Sequence, residues 1–219
     1  MRKPHAGFTL IEIAIVLIII GLLLGGVLKG QELITQAKIR NLSNDLTGVS
    51  VAIYAYQDRY KRLPGDDPGQ TRWTVAGSAL TVSAGQGDGN NTLTGSYAST
   101  NNNDETRKFW LNLRLSGLIA GDASTLVNGS TQPQNAAGGI LGVQSGALGL
   151  SGTVICAGSL PVKIAQALDS QLDDGNAATG SVRAILDETP PTNVPTTLPA
   201  TTANYDDNGT NLYVLCKSL

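Results

Sequence analysis

Phe8–Leu28 reads FTLIEIAIVLIIIGLLLGGVL, a run of 21 residues in which Glu12 carries the only charge. As a helix with a rise of 1.5 Å per residue it would be about 32 Å long, enough to cross the hydrocarbon core of a bilayer. A secretory signal would have a shorter apolar region followed by a small-residue cleavage site, and no such site follows here before polar sequence begins. The run therefore predicts a membrane-spanning helix.

Basic residues precede this run, and both cysteines lie far beyond it. Arg2 and Lys3 come before the apolar residues, so the positive-inside rule predicts a cytoplasmic N-terminus and an exported chain after Lys29. On that side, Cys156 and Cys216 predict one disulfide formed in an oxidising compartment. A closed loop of about 60 residues would contribute on the order of 4 kcal/mol to stability. Two buried free thiols are the alternative.

Helical periodicity continues from Lys29 to Tyr60. Apolar residues recur there every three or four positions, which places them on one face of a helix. They are Ile39, Leu42, Leu46, Val49, Ile53, Tyr56 and Tyr60. We expect this face to pack against the chain's own head rather than in a dimeric coiled coil, because Gly48 and Ser50 weaken a self-standing helix. Pro64 and Gly65 predict an end at Leu63, so this segment covers residues 29–63.

A loop-rich head is predicted over residues 64–219, where Gly, Asn, Thr, Ser and Asp become frequent. Helices are expected at Glu105–Leu115 and Pro161–Leu172. Short apolar runs indicate a small antiparallel sheet. These runs are Gly139–Val143, Thr153–Ala157, Ser181–Leu186 and Leu212–Cys216. Thr189–Asn204, with four prolines, predicts an extended surface loop. The expected fold class is α+β, with the long N-terminal helix packed on the sheet.

The segment Lys3–Glu12, KPHAGFTLIE, combines a basic leader, a glycine at the start of the apolar run, a phenylalanine after it and a glutamate four residues later. This combination resembles the processing signature of type IV prepilins, and the resemblance covers roughly the first 30 residues. It implies that a prepilin peptidase cuts between Gly7 and Phe8, that Phe8 is N-methylated, and that the N-terminal helix polymerises. Residues 1–7 would then be a cleaved leader and residues 8–28 a transmembrane and assembly helix.

The presence of Glu12 needs a physical explanation, because placing a carboxylate inside a membrane helix costs a few kcal/mol of free energy. It lies about one turn from the membrane surface, so one interpretation is a side chain that reaches up to the headgroups. The resemblance implies another, in which Glu12 pairs with the N-terminal ammonium of Phe8 on a neighbouring subunit. Burying both charges together avoids leaving either unpaired in a medium of low dielectric constant.

Composition argues against catalysis and nucleic-acid binding. The only histidine, His5, lies in the leader, so the processed chain would lack histidine-dependent nucleophilic or metal chemistry. Loss of Arg2 and Lys3 lowers Lys+Arg from 15 to 13 against 17 Asp+Glu and moves the net charge from −2 to −4, which leaves no basic surface for nucleic acid. Adjacent carboxylates usually form turns rather than acid/base pairs. We therefore predict a protein that is not an enzyme.

Four acidic loops carry the hard oxygen ligands that Ca²⁺ prefers. They are Asp66–Asp67, Gly87–Asn90, Asp173–Asn176 and Asp206–Gly209. None has the full EF-hand spacing, and Asx-rich turns produce the same patterns. Related secretion pseudopilins bind Ca²⁺ in the head, so the resemblance favours the late pairs Asp173, Asp174, Asp206 and Asp207 as weak calcium candidates. No other cofactor is expected.

The sequence thus predicts a structural subunit, major or minor, of a type IV pilus-like fibre. Its partners would be copies of itself, related pilins, the prepilin peptidase, the inner-membrane assembly machinery and membrane lipid. The precursor would sit in the bacterial inner membrane with a periplasmic head, before joining a surface pilus. Alternatives are a type II secretion pseudopilin in a periplasmic pseudopilus and, in another class, a membrane-tethered binding protein that never polymerises. Five aromatic residues are expected in the core rather than on an adhesive or sugar-binding surface: Trp73, Trp110, Tyr54, Tyr56 and Tyr60.

Overall fold

The computed structural model describes residues 9–69, 72–73, 87–200, 202 and 204–219. Contacts divide the chain into two compact units, Met1–Lys38 and Ile39–Leu219. The elements are α1 (Leu10–Tyr60), α2 (Glu105–Leu115), α3 (Leu126–Ser130), β1 (Leu141–Ala147), β2 (Leu150–Pro161), α4 (Val162–Leu172), β3 (Val182–Leu186) and β4 (Leu212–Ser218). A long apolar N-terminal helix followed by a small antiparallel sheet confirms the predicted α+β class.

The C-terminal part of α1, from Ile39, belongs to the second unit and carries the predicted apolar face. Five of its residues are buried against the head: Leu42, Leu46, Val49, Ile53 and Tyr56. Ile39 and Tyr60 are partly buried against the same core. The face therefore packs within the chain, as predicted. The helix ends at Tyr60 rather than Leu63, because Lys61 takes a left-handed φ of 54° before Pro64 is reached.

The sheet has the order β1-β2-β4-β3, and each neighbouring pair is antiparallel. Its edges are occupied by other parts of the head. Beside β3, the Ala184 N–H donates to the Ala177 carbonyl at 2.9 Å. Beside β1, the Leu141 N–H donates to the Pro133 carbonyl at 2.9 Å. Groups that would otherwise be unpaired at an open edge are thereby satisfied.

The segment predicted as a surface loop, Thr189–Asn204, is only partly at the surface. Between β1 and β2 the chain turns at Leu148 and Gly149, which both have positive φ, 51° and 77°. Their N–H groups donate to the carbonyls of Pro195 and Thr196 at 2.8 and 2.7 Å. Val194 is buried at 6% exposure. The loop thus covers the end of the β1–β2 hairpin, a role that its proline content did not reveal.

Two apolar clusters form the core of the head. The larger one joins the face of α1 to Phe109, Trp110 and Leu113 of α2 and to one face of the sheet. The smaller one contains Cys156 and Cys216, which form a disulfide between the directly opposed positions of β2 and β4. Both cysteines are fully buried. The predicted disulfide is confirmed.

Local sequence signals placed two of the helices in the head and missed the third. The bounds of α2 match the prediction, and Gly117 follows its cap with a φ of 74° that favours glycine. The start of α4 is one residue later than predicted. The five-residue helix α3 was not predicted. Its signal is the Thr125 side chain, which accepts the Asn128 N–H at the helix start.

Candidate assembly site and acidic clusters

The first turn of α1 contains a reciprocal pair of hydrogen bonds between Thr9 and Glu12. The Thr9 N–H and hydroxyl both donate to Oε2 of Glu12, at 2.8 and 2.7 Å. The Glu12 N–H donates back to Oγ1 of Thr9 at 3.4 Å. This is the capping box, in which a threonine before the helix and a glutamate three residues later satisfy each other's backbone groups.

The apolar N-terminal part of α1 is not covered by the chain itself. An 18-residue window has a mean hydropathy of 2.9 and none of it is buried. Leu10, Leu22 and Leu28 are 89%, 73% and 67% exposed, respectively. Among the described residues, α1 is the one helix long and apolar enough to cross a membrane. So large an apolar patch is rare on a soluble monomer, and it fits a helix that is covered by lipid or by other protein chains.

Two of the predicted site residues, Gly7 and Phe8, lie outside the described residues. Cleavage between them, methylation of Phe8 and its pairing with Glu12 therefore stay predictions. Glu12 lies in the first turn of α1, and its side chain is exposed. Sequence reasoning missed Thr9, although Thr9-Leu10-Ile11-Glu12 has the spacing of a capping box and could have been recognised from it.

Asp67 belongs to an ion pair rather than to a cluster of carboxylates. Its Oδ2 accepts from Tyr56 at 2.7 Å and from Nη1 of Arg72 at 2.6 Å. The Arg72 guanidinium also lies over the rings of Tyr60 and Trp73, at 4.6 and 5.0 Å from their centroids. Burial raises the pKa of the Tyr56 hydroxyl most, and the hydrogen bond to Asp67 raises it further. The contacts among Tyr56, Asp67 and Arg72 thus connect the loop after α1 to the helix.

A first cluster of carboxylates joins parts of the chain that the sequence had left separate. Asp66, Asp88 and Glu105 each place an oxygen within 4.8 Å of the others. Asp66 accepts N–H groups from residues 89–91, and Glu105 accepts those of Asp88 and Thr94. Burial raises the pKa of Asp66. The two buried carboxylates thus hold the loop of residues 88–94 between the end of α1 and the start of α2.

A second cluster contains half of the predicted calcium candidates. Asp173 and Asp174 lie with the buried Asp169 at the end of α4, with one oxygen from each within 4.8 Å of the others. Burial raises the pKa of Asp169, whose Oδ2 accepts from Tyr205 at 2.7 Å. The hydroxyl of Thr179 lowers the pKa of Asp174. This arrangement has the hard oxygen atoms that a divalent cation needs.

The remaining candidates, Asp206 and Asp207, are not part of that cluster of ligand atoms. Oδ2 of Asp207 lies 3.8 Å from Nζ of Lys163. The Asp206 N–H donates to the Tyr213 hydroxyl at 2.8 Å, and its carboxylate is within 3.4 Å of the Asn211 side chain. Of the four calcium candidates, Asp173 and Asp174 lie in a cluster with a third described carboxylate, Asp169, whereas Asp206 and Asp207 do not. Calcium binding stays a prediction.

Most of the singled-out aromatic residues are part of the core. Trp110 and Tyr56 are fully buried, while Trp73 and Tyr60 are partly buried against the same cluster. Tyr54 is the exception at 56% exposure. Four of these five described side chains are thus buried or partly buried.

Comparison with known proteins identifies the N-terminal segment. Residues 2–28 match the family model described as the prokaryotic N-terminal methylation motif. No curated protein matches the chain. The motif and the apolar helix fit a protein anchored in the inner membrane, and the motif implies processing by a prepilin peptidase and self-assembly. Proteins of this type are generally structural. The chain thus carries the type IV prepilin-like signature at residues 2–28, which supports the type IV pilin-like or pseudopilin class.

Proposed function

We propose that this chain is a structural subunit of a type IV pilus-like fibre and that it polymerises through residues 8–28 after cleavage between Gly7 and Phe8. The observation that carries the proposal is the uncovered apolar surface of α1, in which Glu12 is the only charged residue up to Leu28. A membrane anchor alone has no use for a carboxylate at that depth. A contact with a second subunit explains why the Glu12 carboxylate is present there.

Processing supplies the partner of this carboxylate. Cleavage converts the Phe8 amide into an N-terminal ammonium, so a positive charge of matching depth exists only in the mature subunit. Pairing it with Glu12 of a neighbouring copy neutralises two charges that would each be costly to bury alone. Assembly is thereby restricted to processed subunits.

The proposed route begins in the bacterial inner membrane. Arg2 and Lys3 keep the N-terminus cytoplasmic, and the head folds in the periplasm, where the oxidising environment matches the Cys156–Cys216 disulfide. The inner-membrane assembly machinery then adds the subunit to a fibre with related pilins. In this route the head is the part presented at the fibre surface.

A deletion strain complemented with the chain tests the proposal by electron microscopy of filaments. We expect filaments with the wild-type chain and none with Gly7→Val, because a side chain at this position obstructs the close approach of a peptidase to the scissile bond. A shift in electrophoretic mobility measures processing in both strains. Complete processing of the wild-type chain with no multimers would contradict the proposal and favour a tethered binding protein that does not polymerise.

A type II secretion pseudopilin is the second candidate, because the matched motif is shared by both classes. Its assembly chemistry at Gly7, Phe8 and Glu12 would be the same. The distinguishing observation is the location of the polymer. Fibres sheared from the cell surface support a pilus, whereas loss of protein secretion in the deletion strain without surface fibres supports a pseudopilus.

Calcium binding by the cluster of Asp169, Asp173 and Asp174 is proposed on the resemblance to pseudopilins and on the cluster's geometry. The test is thermal unfolding of the detergent-solubilised full chain with Ca²⁺ or with a chelator. Binding predicts a higher melting temperature with Ca²⁺. The shift should be absent in Asp173→Asn/Asp174→Asn. Identical melting of the wild-type chain in both conditions would contradict the proposal.

A further inference from the structure

A groove lies beside the part of α1 that packs on the head. Its volume is about 320 Å³, enough for one aromatic side chain. Its walls come from α1, from α2 and the residues after it, and from the start of β1: Asp45, Gly48, Trp110, Leu118, Ile119 and Leu141. Asp45 is the only charged residue among the described residues that line it. The groove is thus mainly apolar, with one carboxylate.

Packing within the subunit does not explain the glycine in this groove. A Cβ atom added at Gly48 would meet no atom within 4 Å beyond the adjacent turns of its own helix. Glycine in a helix interior is less favourable than alanine, because it loses more backbone freedom on folding. The chain therefore keeps an open space on α1 although a larger residue would stabilise the helix. Such a space lets a side chain of another molecule approach the helix closely.

Asp45 has a carboxylate without a partner. Among the described residues, no hydrogen bond or ion pair involves its side chain. Although Asp45 is exposed, partial burial of its carboxyl group raises its pKa. A donor placed in the groove would stabilise the charged form of this group. The groove is therefore complementary to a mainly apolar side chain that ends in a hydrogen-bond donor.

The chain carries such a side chain on another face of α1. Tyr54 is 56% exposed, and Val51, about one turn before it, is 60% exposed. These two are the only exposed large apolar residues of α1 after Ile39. The Tyr54 hydroxyl makes no hydrogen bond among the described residues. Both the ring and the hydroxyl of Tyr54 are thus available to a second molecule.

Tyrosine hydroxyls already bind aspartates at two places in this head. Tyr56 donates to Oδ2 of Asp67 and Tyr205 donates to Oδ2 of Asp169, each at 2.7 Å. Burial raises the pKa of Asp169, as it does that of Asp45. A tyrosine O–H therefore suits a partly buried aspartate of this chain, which is the group that the groove offers.

We propose that Tyr54 of one subunit inserts into the groove of a second copy, where its ring lies over Gly48 and its hydroxyl donates to the Asp45 carboxylate. The inference rests on the proposed function and names a contact between the heads of neighbouring subunits. Asp45 and Tyr54 are separated by about two and a half turns of helix, so they lie on opposite sides of α1. The contact is therefore heterologous, and it can repeat from subunit to subunit along a fibre instead of closing a dimer.

Substitution of the tyrosine is the first test, and the measurement is the fraction of processed subunit recovered in fibres or crosslinked multimers. Tyr54→Ala should lower this fraction at least about tenfold, as truncation of a buried interface tyrosine does. Tyr54→Phe keeps the ring and should lower it about fivefold, the ratio for loss of one hydrogen bond. Arg59→Ala, on a different face of α1, is the matched control and should leave it unchanged. A wild-type fraction from Tyr54→Ala would overturn the inference.

Filling the groove is an independent test. The Cβ of Gly48→Leu meets no neighbour in the isolated subunit and leucine favours a helix, so the head should unfold at the same or a higher denaturant concentration. The leucine side chain occupies the place of the neighbour's tyrosine, and the fraction in multimers should fall at least about tenfold. Gly48→Ala should lower it less. Normal assembly of a stably folded Gly48→Leu variant would contradict the contact.

A double-mutant cycle tests the hydrogen bond. Asp45→Ala alone should lower the fraction in multimers about fivefold. In that background Tyr54→Phe should have no further effect, because the hydroxyl has already lost its acceptor. A combined loss of about 25-fold, as expected for independent effects, would show that Asp45 is not the acceptor.

Photocrosslinking identifies the surface that Tyr54 contacts. p-Azidophenylalanine in place of Tyr54 keeps an aromatic ring, and illumination of assembled subunits should link it to the groove of a second copy. Mass spectrometry of mixed isotope-labelled and unlabelled subunits should find the link between two copies, at peptides that contain Gly48 or Trp110. Links only to another surface, or only to a different protein, would overturn the inference.

The outcomes also distinguish this inference from the proposed function. Absence of multimers from the wild-type chain contradicts both. Wild-type multimers together with normal assembly of Tyr54→Ala and Gly48→Leu contradict only the contact at the groove.

Discussion

In residues 39–60 of α1 one apolar face, from Leu42 to Tyr56, is buried against the head, whereas in residues 10–38 the large apolar side chains remain exposed. Leu46 is fully buried, and Leu23 on the same helix is 64% exposed. Both parts belong to one continuous helix, so secondary structure does not distinguish them. The difference is what covers them. The head packs on the first part, and in the proposed function assembly depends on the second.

Removal of the disulfide is expected to have the largest effect, and only on the head. Cys156→Ala/Cys216→Ala should lower the free energy of unfolding by about 4 kcal/mol, because the unfolded chain loses a closed loop of about 60 residues. Tryptophan fluorescence during denaturant unfolding of the detergent-solubilised chain measures this, since Trp73 and Trp110 both lie in the head. Helicity of α1 residues 10–38 should persist. An unchanged unfolding midpoint would contradict the expectation.

A pair of leucine substitutions compares the two parts of α1 directly. Leu46→Ala removes a fully buried side chain from the larger core cluster and should cost about 3 kcal/mol. Leu23→Ala is the matched control on the exposed part and should change the unfolding of the head by less than about 0.5 kcal/mol. The same fluorescence measurement applies. Equal destabilisation by both variants would show that the two parts do not differ as described.

A pair of tyrosines provides a smaller contrast within the head. Tyr56→Phe removes the hydroxyl that donates to Asp67 at 2.7 Å and should cost about 1 kcal/mol. Tyr54→Phe, two residues earlier on the exposed face, should have almost no effect. Denaturant unfolding of both variants checks this. A larger loss in Tyr54→Phe than in Tyr56→Phe would contradict the burial of the predicted face.

Sequence patterns were sufficient to predict the elements that depend on regular spacing or on signals close in sequence. The apolar face from Ile39 to Tyr60 and the bounds of α2 follow from spacing and stop signals, which are local. The strands were found because short apolar runs alternate with turn residues. The order of the strands in the sheet was not predicted, since the position of β4 between β2 and β3 depends on contacts over long sequence distances.

Sites made by distant residues could not be predicted in the same way. Glu105 joins Asp66 and Asp88 only because α2 packs beside the end of the loop that follows α1. Asp169 joins Asp173 and Asp174 through one turn of α4, a spacing that could have been recognised. Thr9 was missed for a different reason: its link to Glu12 is local, but both interpretations of the glutamate, through lipid headgroups and through a neighbouring subunit, placed its partner outside its own chain.

The central claim is that Glu12 binds the processed N-terminus of a neighbouring subunit. The most direct measurement is the multimer yield per processed subunit from Glu12→Ala beside Glu32→Ala, which removes an exposed carboxylate from the same helix. Both variants should be cleaved and inserted normally. Glu12→Ala should lose at least about tenfold in yield, because it leaves a buried ammonium unpaired, and Glu32→Ala should match the wild-type chain. Equal yields from the two variants would contradict the claim.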